Sequence, residues 1–171
     1  ESYNEYHFVQ VTQKIHHFCN LDLGGFYLDI IKDRQYTIHK DSIGRRSAQT
    51  ALYHTIEAVV RWISPVLCFT AEEVWQHIPG KRSTSVNMAE WYKGLSFEMP
   101  DKYSPAFWRQ LVAVRTAVNK EIEKNRKEGQ IKGSLDASVE ITCSDDLFEW
   151  LTLVGDELKF ILQVSKVSVF D

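Results

Sequence analysis

The sequence has none of the common reactive signatures. It contains no Cys-x-x-Cys pair, and its three cysteines, Cys19, Cys68 and Cys143, are far apart and odd in number. That argues against a disulfide framework and suits reduced thiols in a cytosolic chain. The six histidines include no i, i+4 pair, so a helical zinc site is not expected, and the neighbours His16 and His17 point to different sides of a helix. Gly-x-Ser-x-Gly is missing, and Gly24-Gly25 lacks both the lysine of a P-loop and a preceding strand, so it reads as a turn or a close helix contact. No apolar run approaches the roughly 20 residues of a membrane helix. The longest candidates are broken by Asp29 and Lys32 and by Pro65 and Thr70. The opening Glu1-Ser2-Tyr3-Asn4-Glu5 is neither basic nor apolar, unlike a secretory leader, and the only methionines are Met88 and Met99. The chain therefore reads as a piece of a longer cytoplasmic protein, with no membrane partner, no metal site and no catalytic residues of its own.

The composition is that of a folded domain. With 171 residues, 44% hydrophobic and 25% charged, the chain can bury the core of one large or two small domains. Ser2 and Glu5 have capping-box spacing before a stripe of Tyr6, Val9, Ile15, Phe18 and Cys19, which predicts a first helix. Leu23, Phe26, Tyr27, Ile30 and Ile31 predict a second, entered through Gly24-Gly25 or a turn earlier. Asp41-Ser42 caps a third with a buried stripe of Ala48, Leu52, Ile56, Val59 and Ile63, opposite a polar stripe of Arg46, Gln49, Tyr53, Glu57 and Arg61. Pro65 bends the chain. Thr70 to Glu73 reads as a second capping box, opening a short helix that Pro79-Gly80 stops.

The periodicity then fades, and Trp91 in the connector is a candidate for packing the two halves together. Ser104-Pro105 starts a long helix with Trp108, Leu111, Arg115, Val118 and Ile122 on one stripe, ending near Gly129. Residues 137–143 alternate as a strand, Ser144-Asp145-Asp146 caps a further helix, Leu158 to Leu162 adds a turn or two, and Val167 to Phe170 closes as a strand. The predicted fold is mainly α, with a helical bundle over 1–95 and, over 96–171, a connector, a long helix and a small α+β subdomain.

Charge is distributed unevenly. The net of -3 combines a stretch 32–61 with six cations against three anions and a stretch 136–171 with eight anions against two cations. Lys32, Arg34, Arg45 and Arg46 interleave with Tyr36 and Tyr53, a pattern that can hold phosphates while aromatic rings stack unpaired bases. A solvated helix face with ordinary ion pairs is the plainer reading of such charge. A second basic run, Lys120, Lys124, Arg126, Lys127 and Lys132, sits where a helix C-terminus favours cations anyway. The carboxylate pairs Glu72-Glu73 and Asp145-Asp146 read as first-turn helix charges.

Three stretches carry a resemblance. Phe26-Tyr27-Leu28-Asp29-Ile30-Ile31-Lys32-Asp33-Arg34-Gln35-Tyr36, Arg45 to Tyr53, and Arg61-Trp62-Ile63-Ser64-Pro65 running on to Phe69-Thr70-Ala71-Glu72-Glu73-Val74-Trp75 resemble, in order and spacing, the anticodon-binding domain of bacterial-type isoleucyl-tRNA synthetases. Segments 118–123 and 133–137 look like the small α+β extension that follows it. The proline and Phe-Thr-Ala-Glu-Glu-Val-Trp are shared in outline by valyl and leucyl relatives; Lys-Asp-Arg-Gln-Tyr favours the isoleucyl enzymes.

The resemblance implies a class I parent, monomeric and cytoplasmic, that joins isoleucine to its tRNA with ATP and Mg²⁺. Its catalytic and editing domains lie outside this chain, and zinc, where family members carry it, belongs to a separate C-terminal Cys cluster. The implied partners are the anticodon stem-loop of isoleucine tRNA and the catalytic body of the same polypeptide. Lys32, Arg34, Arg45 and Arg46 are the candidate phosphate or base contacts, and Tyr36, Gln49 and Tyr53 the candidate base readers. Phe26, Tyr27, Leu52, Trp62 and Trp75 are assigned to the core. The alternative is a helical protein-interaction module that presents its Arg/Tyr face to an acidic partner.

Overall fold

The computed structural model describes residues 1–95, 98 and 100–171, with Asp145 described through its backbone alone. The chain divides into two compact units, Glu1–Phe97 and Glu98–Asp171.

The first unit is helical. Residues 2–6 form a turn in which the His7 N–H donates to Ser2 O at 2.9 Å and Tyr6 takes a left-handed φ of 57°. That reversal cuts Ser2 and Glu5 off from the helix, so the expected capping box does not form. α1 begins only at Phe8, runs to His17, and has no side-chain cap. Its inward face is Val11, with Ile15, Phe18 and Cys19 half-buried, whereas Tyr6 and Val9 are exposed, correcting the stripe read from the sequence.

The chain does not break at Gly24-Gly25. It continues from α1 into a π-helical segment, Phe18–Leu28, a winding that is rare beyond a single turn. The glycines permit it. A Cβ on Gly24 would lie 3.0 Å from Cys19 O, and one on Gly25 would lie 3.3 Å from Asn20 O, in each case the carbonyl five residues earlier. The two predicted helices are thus one continuous rod, ending at the buried Ile31 before α2, Lys32–Tyr36.

α3, Ile43–Ile63, starts where expected, with Ser42 Oγ accepting the Arg45 N–H at 3.2 Å, and ends before Pro65. Ala48, Ala58, Val59 and Val60 are buried along it. α4, Cys68–His77, begins two residues earlier than Thr70, with Leu67 at its cap position and no side-chain cap. Leu67 is placed there by the tight turn after Pro65, in which its N–H donates to Ile63 O at 2.7 Å. Glu72 therefore lies beyond the first turn and does different work. Its carboxylate accepts from Ser85 Oγ at 2.7 Å, Gln76 Nε2 at 2.8 Å and the Val86 N–H at 3.1 Å, and these bonds hold it below the ordinary carboxylate range.

Loop 78–88 is fixed onto α4 in this way, and Val86 joins Val60, Ala71, Trp75 and Ile78 in the unit's core. The Trp75 indole N–H donates to Ser83 O at 2.9 Å. Of the other residues assigned to the core, Phe26, Tyr27, Leu52 and Trp62 are half-buried. Trp91 lies against the Tyr3 ring at 5.5 Å, within the same unit.

Glu57 and Arg61 depart most from the sequence reading. Placed by periodicity on the solvated stripe of α3, Glu57 is 3% exposed. Arg61 and Arg82 pair with its carboxylate at 2.5 and 2.9 Å, and both guanidiniums lie over the Trp75 ring, 4.6 and 4.5 Å from its centroid. Burial alone pushes the Glu57 carboxyl up. Hydrogen bonds from Arg61 and Arg82 more than offset that and hold it below its ordinary value. Helical period assigns a face, but it does not register that a polar group finds two cations inside.

The second unit is built on α5, Pro105–Lys127, whose start matches the expected proline-first cap, with Ser104 Oγ accepting the Phe107 N–H at 3.3 Å. It ends at Glu128, before Gly129 at φ 75°. β1, Ser138–Thr142, and β2, Lys166–Phe170, pair in parallel from Ser138 opposite Lys166 to Thr142 opposite Phe170. Parallel strands need a crossover. Here it consists of α6, Asp145–Val154, and α7, Leu158–Leu162. Phe107, Leu111, Leu151, Leu158 and Leu162 form the core, and burial of each such side chain contributes about 1.5–3 kcal/mol. Leu111 and Ile122 of the expected stripe are buried and Val118 packs against them, but Phe107 takes the buried position at its start and Trp108 is 40% exposed. Ser144 makes no side-chain cap to α6, and the Asp145 side chain lies outside what is described. The architecture is mainly α with a small two-stranded sheet.

Candidate nucleic-acid interface

The candidate residues sort into two groups along the first unit. Lys32, Arg34 and Tyr36 occupy α2, and Arg45 and Arg46 occupy the first turn of α3. α2 packs on α3, and the Arg34 side chain comes within 3.9 Å of where a Gly44 Cβ would stand. Loop 37–42 is tied to both helices through Ile38. The Ile38 N–H donates to Asp33 O at 3.1 Å, and Arg45 Nη1 donates to Ile38 O at 3.2 Å. These five candidates therefore share one end of the unit. Gln49 and Tyr53 lie about one and two turns further along α3.

Each side chain has a distinct setting. Lys32 is exposed and paired with Asp29, an i, i+3 contact at 2.5 Å of the kind worth under about 1 kcal/mol, which a phosphate can replace. Arg34 is half-buried beside Tyr27; burial raises the Tyr27 phenol pKa, and the Arg34 charge partly opposes that. Arg45 is half-buried and spends one guanidinium nitrogen on the loop. Arg46 is exposed and has no ion pair among the described residues. Tyr36 is 84% exposed, an open ring at the end of α2. Gln49 is exposed, and Tyr53 is 38% exposed.

The charge concentrates at this end. Glu57 and Arg61 neutralise each other inside the unit, so the surface excess in 32–61 comes from residues 32–46, where five cations face Asp33 and Asp41 for a net +3. Lys40 belongs with the group. It is exposed in the loop between the two helices, although the sequence reading counted its charge without placing it in the site. Its position between two basic helix ends was the available signal. Cations of this density with an exposed aromatic ring suit phosphate contacts that set register and stacking on unpaired bases.

The second basic run is also exposed, at the C-terminal end of α5, where Arg126 pairs with Glu123 at 2.9 Å and the helix dipole already accounts for cations. No three His, Cys, Asp or Glu side chains come together as a metal-binding group among the described residues. No described helix is long and apolar enough to cross a membrane.

Comparison with known proteins places this arrangement. The isoleucine–tRNA ligase of Methylococcus capsulatus is 52% identical over 170 residues, 99% of this chain and 18% of that protein. Its counterpart in Marinomonas sp. is 53% identical over 169 residues, 98% of this chain and 18% of that protein. In Azotobacter vinelandii the isoleucine–tRNA ligase is 52% identical over 171 residues, again 99% and 18%. The chain thus spans about a fifth of the length of the curated relatives it matches. The family model described as the anticodon-binding domain of tRNA ligase matches residues 1–141, which include the whole basic face, so the chain belongs to the family of anticodon-binding domains of tRNA ligases.

Proposed function

We propose that this chain is the tRNA-positioning part of an isoleucine–tRNA ligase, holding the anticodon end of isoleucine tRNA so that the acceptor end meets a catalytic body elsewhere in the same polypeptide. The observation that carries this reading is identity near 50% along nearly the whole chain to isoleucine–tRNA ligases of several bacteria. The basic face on α2, loop 37–42 and the start of α3 supports it. In this reading Lys32, Arg34, Lys40, Arg45 and Arg46 contact phosphates, and Tyr36, Gln49 and Tyr53 face unpaired bases.

The parent joins isoleucine to tRNA at the expense of ATP, as a cytoplasmic monomer. ATP and Mg²⁺ act in its catalytic domain, and any zinc is held by a separate Cys cluster.

Titration of the chain with isoleucine tRNA across a salt series tests the reading. Binding should weaken linearly in log–log form, with a slope of about -0.7 to -0.9 per phosphate neutralised. No RNA binding at low salt would return the Arg/Tyr face to the protein-partner alternative. Amino-acid-dependent pyrophosphate exchange by this chain alone would contradict the division of labour.

A further inference from the structure

The second unit leaves a strand edge open. Among the described residues its sheet has two strands, so β1 and β2 are both edge strands. α6 and α7 pack on β2. Between β1 and α5 lies a groove of about 570 Å³, lined by Val118, Glu121 and Ile122 of α5, by Ile131, and by the chain from Asp136 through β1.

β1 presents both backbone and charge to this groove. The Cys143 N–H donates to Phe170 O at 3.0 Å, and Ala137 O accepts the Ser165 N–H at 3.1 Å, so residues 137 and 143 direct these groups at β2. Backbone groups alternate along a strand, which turns those of Val139 and Ile141 towards β2 as well and leaves those of Ser138, Glu140 and Thr142 for the open side. Side chains alternate too, with Val139 and Ile141 packed on the core and Ser138, Glu140 and Thr142 exposed. The ionisable side chains lining the groove, Glu121, Asp136 and Glu140, are all acidic. On β2 the residue opposite Glu140 is Ser168, which does not answer its charge.

These features select the occupant. A strand laid beside β1 gains main-chain hydrogen bonds and turns every second side chain onto Val118 and Ile122. Its intervening side chains lie beside Glu140, where a cation is favoured and a like charge is not. A second copy of β1 is disfavoured for that reason, because antiparallel pairing through all three open residues centres on Glu140 and sets it against its own counterpart. The curated relatives carry about four-fifths of their length outside the matched region, so chain able to supply such a strand exists there. We propose that the β1 edge seats a third strand from another part of the same longer polypeptide, an extended segment that alternates apolar and cationic residues. The inference rests on the chain belonging to such a polypeptide and is independent of RNA binding.

The test uses short blocked peptides, one alternating lysine with valine and one alternating glutamate with valine, added at about 1 mM to match the effective concentration that a short flexible tether provides. Amide NMR and hydrogen exchange of the isotopically labelled chain read the response. The lysine peptide should shift the Ser138, Glu140 and Thr142 amides and slow their exchange, and the glutamate peptide should not. In Glu140→Lys, a change at an exposed site, the lysine peptide should bind on the order of 2- to 30-fold more weakly, as a favourable cross-strand pair becomes an unfavourable one. The parent polypeptide should leave the lysine peptide unbound, because its own strand holds the edge. No response of those amides to the lysine peptide, or an equal response to both peptides, would overturn the proposal. Equal binding by the chain and by the parent would overturn it by assigning the strand to a separate partner protein. Protection of the same amides through self-association, seen by sedimentation, would overturn it in favour of a second copy. The salt-series titration with RNA is unaffected by any of these results, so the two readings fail separately.

Discussion

Removing the Glu57 carboxylate is the most informative perturbation of the first unit. In Glu57→Ala, Arg61 and Arg82, whose side chains are 14% and 13% exposed, lose the partner they share at 2.5 and 2.9 Å. Breaking a buried ion pair costs about 3–5 kcal/mol, because the remaining charge stays desolvated. Some of that is retained. Arg61 still reaches the backbone carbonyl of residue 57, Arg82 still reaches Pro79 O at 2.7 Å, and both keep the Trp75 ring. The expected loss is therefore about 3 kcal/mol, read by amide hydrogen exchange in α3 so that the second unit does not contribute. Glu57→Gln should lose less.

The stability difference between the parent chain and Glu57→Gln should also depend on pH. The native carboxyl titrates below its ordinary value of 4.5, so its contribution is complete above that value and disappears as pH falls through the native one. A loss under about 1 kcal/mol in Glu57→Ala, or a difference that stays constant as pH falls from neutral through and below 4.5, would show that the buried pair contributes nothing net.

Other expectations can be checked separately. Gly24→Ala should destabilise the π-helical segment or convert it to α-helix, because the new Cβ meets Cys19 O at 3.0 Å; a gain of about 1 kcal/mol, usual for Gly→Ala in a helix, would contradict the close approach. Ser104→Ala should cost about 1 kcal/mol through loss of the cap on α5, and unchanged amide exchange at Phe107 would refute it. Arg46→Ala should reduce the salt slope of RNA binding by about one with no change in melting temperature. Arg45→Ala should weaken binding and also loosen loop 37–42, seen as faster exchange at Ile38, because its guanidinium holds that carbonyl.

What the sequence made legible was carried by local chemistry. Ser42 and Ser104 cap helices as their spacing implied, Pro65 and Gly129 end them, and alternation at residues 138–142 marks a strand. Features that depend on distant partners were not legible. Gly24-Gly25 looked like a break, because only the three-dimensional path shows glycine making room for a carbonyl five residues back. Thr70 and Glu73 looked like a capping box, but the turn after Pro65 starts the helix at Cys68 and leaves Glu72 to bind Ser85. Glu57 looked solvated because its partner Arg82 lies 25 residues away. Of the candidate interface, charge order along the chain was readable, since α2, loop 37–42 and α3 are consecutive. The burial of Glu57 one turn from the partly exposed Tyr53 was not, because spacing on a polar stripe does not reveal burial.

The proposed function has this chain reading the anticodon of isoleucine tRNA. Its most direct measurement is the ratio of the chain's affinities for that tRNA and for the same tRNA with its anticodon replaced, taken at one salt concentration near physiological. Binding of the native anticodon should be clearly tighter, with the ratio collapsing in Tyr53→Ala and surviving in Arg46→Ala, where both affinities fall together. Equal affinity for the two tRNAs would contradict it and reduce the basic face to unspecific phosphate binding.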